Sequence, residues 1–145
     1  MDRQKDSPPE AISQGETLRL PPSDLRVLIV DDVKTNRQLL YYILTKEGFQ
    51  VAEANEGNQA VKLFQSWAPH IILMDHLMPV MDGLEATKKI RDLPGGEDVI
   101  ILMITANVTA ENESASLHAG ADGFIRKPFR KAALLEGIEK HFSLS

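Results

Sequence analysis

Three carboxylates, a hydroxyl and an amine each stand at the end of a short β-rich run in this sequence. Asp31-Asp32 follow Val27–Val30, Asp75 follows His70–Met74, Thr105 follows Val99–Ile104, and Lys127 follows Asp122–Arg126. Carboxylates held within a few Å of one another repel, and protonation or a cation relieves the repulsion. An all-oxygen donor set suits a hard divalent ion, and Mg²⁺ suits a site that also handles phosphate. Lys127 would add a compact positive charge and Thr105 a hydroxyl donor. A carboxylate so placed can attack phosphorus and form an acyl phosphate. Catalysis of that step is mostly positioning and neutralisation of oxygen charge. Asp75 is then the nucleophile, with a metal and Lys127 holding the phosphoryl oxygens. Taken singly, each residue has an ordinary explanation as a turn, a cap or a surface lysine. The histidine nearest to His76 is His70, at the opposite end of the same strand, which argues against a histidine metal site. The weight lies in all five falling at the same end of one sheet.

The elements that must carry these residues alternate. Val27–Val30 is wholly apolar, as in a strand buried on both faces. Thr35–Glu47 reads as a helix with Leu39/Ile43 and Leu40/Leu44 at i,i+4 spacing, stopped by Gly48. Gln50–Ala54 is the second strand, and Gly57–Trp67 a helix with Ala60, Phe64 and Trp67 on one stripe. His70–Met74 is the third strand. Gly83–Leu93 follows as a helix with Ala86, Ile90 and Leu93 aligned, ended by Pro94-Gly95-Gly96. Val99–Ile104 is the fourth strand, and Thr109 caps a helix that runs to Ala119 and stops at Gly120. Asp122–Arg126 is the fifth strand. Lys131–Phe142 is the last helix, with Leu135, Ile138 and Phe142 facing inward. Five such βα units imply an α/β fold, a doubly wound parallel sheet with helices on both faces. Ligands of such sheets bind beyond the C-terminal strand ends, where the acids stand.

Composition narrows the function classes. The net charge is −5, a poor basis for binding nucleic acid. The absence of cysteine excludes disulfides and thiolate metal sites and fits a reducing, cytoplasmic setting. No apolar run approaches the ~20 residues needed to span a bilayer, so no membrane contact is expected. Residues Met1 to Asp24 carry Pro8-Pro9, Pro21-Pro22 and few large apolar side chains, which reads as a disordered tail or inter-domain linker. The domain proper then runs over residues 25–145.

Val30-Asp31-Asp32, Met74-Asp75-His76-Leu77-Met78-Pro79-Val80-Met81-Asp82-Gly83, Ile104-Thr105-Ala106 and Lys127-Pro128-Phe129 together resemble the receiver domain of two-component response regulators, over roughly Leu25 to Phe142. The resemblance implies a flavodoxin-like (βα)5 fold with strand order 2-1-3-4-5. It implies Asp75 as phosphoacceptor and a Mg²⁺ site made by Asp31, Asp32, Asp75 and the backbone carbonyl of Leu77, with Asp31 acting largely through metal-bound water. Thr105 matches the switch hydroxyl, Phe124 the switch aromatic, and Lys127 the phosphoryl-binding lysine before a cis proline. Gly83 matches the glycine of the tight turn after the acceptor. The implied partner is a histidine kinase or a histidine phosphotransfer protein. The implied output is a remodelled face of fourth helix, fifth strand and fifth helix. On this resemblance the chain is a phosphorelay component, not an enzyme in its own right.

Some positions depart from the pattern. Arg130 stands where a short polar N-cap is usual, and its charge opposes the helix dipole. Leu77 cannot orient water, and with Asn107 it implies slow dephosphorylation. No output segment follows the last helix in the sequence. Asp31–Arg37 and Met81–Thr87 look most like receivers of hybrid histidine kinases, and the tail suits a linker after a kinase domain. A stand-alone response regulator and a truncated regulator are the other contexts. Functions of other classes fit less well. A flavodoxin-like small-molecule binder needs a Ser-, Thr- or Gly-rich loop after the first strand, where this chain has two acids. An aspartyl phosphatase needs a second acid two residues after the nucleophile, where this chain has Leu77. A pseudo-receiver would have lost part of the acid–threonine–lysine set.

Overall fold

The computed structural model describes residues 19–76, 78, 81–106 and 109–144. Five strands, β1 (Arg26–Val30), β2 (Gln50–Ala54), β3 (Ile71–Asp75), β4 (Ile100–Thr105) and β5 (Gly123–Arg126), form one parallel sheet in the order β2-β1-β3-β4-β5. The helices are α1 (Lys34–Lys46), α2 (Gly57–Trp67), α3 (Gly83–Arg91), α4 (Ala110–Ala119) and α5 (Lys131–Glu139). This is the flavodoxin-like topology the sequence implies.

Alternation along the strands divides the core in two. Leu28, Val30, Ile72, Met74 and Ile101 point to the side covered by α2 and α3, where they meet Ala60, Phe64, Ala86 and Ile90. Val27, Ile29, Ile71, Leu73 and Ile104 point to the other side, against Leu40 and Leu44 of α1 and Leu134 and Ile138 of α5. Every residue of β3 is buried, because this central strand is covered on both faces. The acid that ends it is therefore held by a strand packed on both faces.

Two helices sit differently from their sequence pattern. Leu40 and Leu44 form the buried stripe of α1, whereas Leu39 is 49% exposed. Both pairs have i,i+4 spacing, so periodicity alone could not say which one faces the sheet. The last helix ends at Glu139, not Phe142, and Leu134 takes the buried place expected of Leu135. His141 and Phe142 instead close a turn by donating their backbone N–H groups to the Ile138 carbonyl.

The chain before β1 is not featureless where it is described. Arg19–Leu20 pair in parallel with Ser143–Leu144, joining the two ends of the domain. Pro22–Asp24 make one 3-10 turn, to which Gln50 donates through Nε2 at 2.7 Å from the Ser23 carbonyl. A two-residue pairing made by backbone alone leaves no compositional mark, so the sequence places these residues in the tail. The remainder of the expected tail, residues 1–18, lies outside the described residues.

Candidate functional site

The ends of β1, β3, β4 and β5 bring four of the expected groups together, and Asp32 joins them from the loop after β1. Asp31 follows β1, whose Val30 is in register with Met74, so Asp31 stands beside Asp75 at the end of β3. Asp31 is 1% exposed, Asp75 5% and Thr105 6%. Donor oxygens of Asp31, Asp32 and Asp75 lie within 4.8 Å of one another. Lys127 donates from Nζ to Asp75 Oδ1 at 3.1 Å and reaches Asp31 Oδ2 at 3.7 Å. The Lys127–Pro128 peptide is cis, as the resemblance implies. A cavity of about 290 Å³ opens over these groups, lined by Asp32, Asp75, His76, Thr105 and Lys127 among others.

The backbone holds the acids in place. The Asp31 N–H donates to the Ala54 carbonyl, and its Oδ1 accepts from the Val33 N–H at 2.8 Å. At the end of β4 the Thr105 carbonyl accepts from the Lys127 N–H at 2.8 Å, which ties the lysine to the neighbouring strand. Thr105 is in register with Arg126, and Met103 with Phe124. By alternation Thr105 and Phe124 therefore share one sheet face, two residues apart in register. Phe124 is half-buried and packs against the core on that face.

The cluster is electrostatically frustrated. Burial, then the Asp31 carboxylate, push Asp75 from its ordinary 3.8 up to about 6. The Lys127 hydrogen bond and charge oppose this, and Asp32 adds to it. Three oxygen donors in reach of one point, one of them reluctant to ionise alone, fit a hard divalent cation of the Mg²⁺ kind.

This frustration has a measurable sign. The folded form binds the Asp75 proton more tightly than the unfolded chain does. Stability from this group is therefore greatest at low pH and falls as pH rises from about 4 to about 6. The full shift corresponds to about 3 kcal/mol, which solvent at the open mouth screens to about 1–2 kcal/mol. Half-buried His70 works in the opposite direction. Its pKa is lowered by burial and by Arg26, so its contribution is lost as pH falls through the histidine range. Urea unfolding in chelator across this range, wild type minus Asp75→Asn, isolates the Asp75 part. Saturating Mg²⁺ should flatten it.

Gly83 is required for a reason the sequence does not reveal. Its backbone is not left-handed; among the described residues the left-handed glycines are Gly48, Gly95 and Gly120. A Cβ at Gly83 would collide with the Asp75 carbonyl oxygen and crowd Met74 Cγ. The glycine permits close approach of α3 to the end of β3, and its N–H donates to the His76 carbonyl at 3.0 Å. Gly83→Ala should cost about 1–3 kcal/mol in urea unfolding, because a buried strand end has to shift.

Other expectations divide. Thr109 caps α4 as expected, accepting from the Asn112 N–H, and Asp82, not expected as a cap, caps α3 by accepting from the Glu85 N–H. Arg130 precedes α5 without any side-chain cap, as its type demands. Leu77 and Asn107 lie outside the described residues. Sequence reasoning missed Arg37, which donates from Nη1 to the Asp31 carbonyl at 2.7 Å. No motif signals that bond, since it depends on where α1 starts relative to β1.

The sheet order and the acidic pocket at the strand ends define a doubly wound α/β domain with a polar site at its C-terminal edge. The family model of the response regulator receiver domain matches residues 27–139. The chemotaxis protein CheY of Halobacterium salinarum is 40% identical over 114 residues, covering 78% of this chain and 92% of the relative. The structure of CheY4 from Vibrio cholerae matches with a TM-score of 0.78 at 32% identity, covering 80% of this chain and 97% of that one. The receiver domain of the sensor histidine kinase PA1611 from Pseudomonas aeruginosa PAO1 has a magnesium ion coordinated in its active site cleft. It matches with a TM-score of 0.75 at 32% identity, covering 80% and 95% of the two chains. The chain belongs to the response regulator receiver domain family of two-component systems. Such domains act as phosphoacceptors with histidine kinases or phosphotransfer proteins and are not generally classed as enzymes. No helix among the described residues is long and apolar enough to cross a membrane.

Proposed function

We infer that this domain takes a phosphoryl group onto Asp75 from the phosphohistidine of a histidine kinase or a histidine phosphotransfer protein. The observation that carries this is the buried Asp75 carboxylate, 3.1 Å from Lys127 and within 4.8 Å of the Asp31 and Asp32 oxygens. A carboxylate oxygen of Asp75 attacks phosphorus, the bond from phosphorus to the donor imidazole breaks, and the imidazole leaves with its electron pair. Lys127 balances charge on the transferred oxygens, and the pocket's opening to solvent leaves room for the donor. Asp31, Asp32, Asp75 and the Leu77 carbonyl would hold Mg²⁺, which when bound neutralises the acids and the phosphoryl oxygens. The magnesium ion in the PA1611 receiver supports that choice of metal. Thr105 then donates to a phosphoryl oxygen, and Phe124, on the same sheet face, fills the space it leaves. The face of α4, β5 and α5 is remodelled, a two-state equilibrium biased by a local contact.

We place the domain in the cytoplasm, within a hybrid histidine kinase, on its Asp31–Arg37 and Met81–Thr87 segments. The matching PA1611 receiver belongs to a sensor histidine kinase. The CheY relative, covered over 92% of its length, favours the stand-alone reading. The reading frame upstream of Met1 distinguishes the two. The chemistry itself is tested by incubation with acetyl phosphate and Mg²⁺. Intact mass should rise by one phosphoryl group, and chelator should prevent it. No mass gain under either condition contradicts the reading.

A further inference from the structure

Among the described residues the exposed side chain of Asp32 has no hydrogen-bond or ion-pair partner. No side-chain contact anchors it, so the peptide unit that links it to Asp31 sets where its Cα and Cβ stand. One end of that unit is held from outside, because the Asp31 carbonyl accepts from Arg37 Nη1 at 2.7 Å. Arg37 is itself held, with Nε 3.2 Å from Glu53 Oε1 on β2 and a side chain only 16% exposed. A planar guanidinium bonded at two points spans from β2 to the loop after β1 and fixes the carbonyl between the two acids.

Nothing within α1 itself favours an arginine here. Arg37 lies in the first turn of α1, where a positive charge opposes the helix dipole by about 0.3–1 kcal/mol. That turn has no acid and no side-chain cap to compensate, since its N-cap is Val33. A residue that breaks a local rule beside a site is best explained by the site.

We propose that Arg37 is a positioning residue for cation binding: it locks the Asp31–Asp32 peptide so that the unsupported Asp32 carboxylate faces the metal position. The proposal rests on the metal-site reading above. It opposes simple electrostatics. Removing a positive charge beside an acidic site should tighten cation binding, whereas loosening the peptide should weaken it.

The test is calorimetric titration of the full chain with Mg²⁺, comparing wild type, Arg37→Gln, Arg37→Lys and Glu53→Gln. Supporting partners of metal ligands typically change affinity about 10–100-fold, and Arg37→Gln should weaken Mg²⁺ binding by that factor. Arg37→Lys should also weaken it, because the charge remains but the two-point fork is lost. Glu53→Gln should give a smaller loss in the same direction. In acetyl phosphate labelling the Mg²⁺ half-saturation should rise more than the maximal rate falls. Thermal unfolding in chelator checks the fold, and should Arg37→Gln not fold, the lysine and Glu53 variants carry the test. Unchanged or tighter Mg²⁺ binding in the arginine variants, with wild type binding normally, overturns the role of Arg37 alone. Wild type that binds no Mg²⁺ overturns the metal-site reading and this proposal with it.

Discussion

Asp75→Asn should show no phosphoryl mass gain with acetyl phosphate and Mg²⁺, and should be more stable than wild type when metal is removed. The first effect is chemical. A carboxamide keeps the shape of the side chain but is a poor nucleophile and cannot form the acyl phosphate. The second effect is electrostatic. At neutral pH the wild-type carboxylate is ionised, buried and repelled by Asp31, and the amide removes that charge. The gain should be about 1–2 kcal/mol above pH 6 and should vanish near pH 4, where the folded wild type is already protonated. The two outcomes check each other. An unlabelled but destabilised variant would point to a damaged fold. Stoichiometric labelling would show that another side chain accepts the group.

Lys127→Ala should damage both acceptance and stability. Lys127 is the cation shared by two buried carboxylates, and its loss leaves Asp31 and Asp75 facing each other. Breaking a buried pair costs several kcal/mol when no water reaches it. Here the lysine is partly exposed, so about 1–3 kcal/mol is expected in chelator. The deficit should shrink at low pH, because Asp75 escapes by protonating, with its pKa pushed above the wild-type value. Labelling by acetyl phosphate should slow by about 10²–10³-fold, the usual cost of removing one charge-stabilising donor. Lys127→Arg should recover part of the stability and less of the rate, since a planar fork does not replace a point charge. Wild-type labelling rates in the alanine variant would remove Lys127 from the mechanism.

The site was legible because its residues obey a fold-level rule. Once the strands and helices alternate, the C-terminal strand ends must meet, and Asp31, Asp32, Asp75, Thr105 and Lys127 all stand there. Element type was legible for the same reason, with Gln50–Ala54 and Gly57–Trp67 matching residue for residue. What stayed hidden needed three dimensions. Leu39 and Leu40 have the same spacing to their partners, and only docking on the sheet chooses between them. Gly83 reads as a turn glycine until the Asp75 carbonyl is found against it. Arg37 reads as a solvated helix residue until its bond to the Asp31 carbonyl is seen. The pairing of Arg19–Leu20 with Ser143–Leu144 is made by backbone and spans almost the whole chain, so no local pattern announces it.

The most direct test of the account is to locate the phosphoryl group. An acyl phosphate is reduced by borohydride to the alcohol, so phosphorylated aspartate becomes homoserine, which peptide mass spectrometry can place. After treatment with acetyl phosphate and Mg²⁺, the account predicts homoserine at position 75 and unmodified aspartate at positions 31 and 32. Homoserine at either of those two positions, or at none, would contradict it.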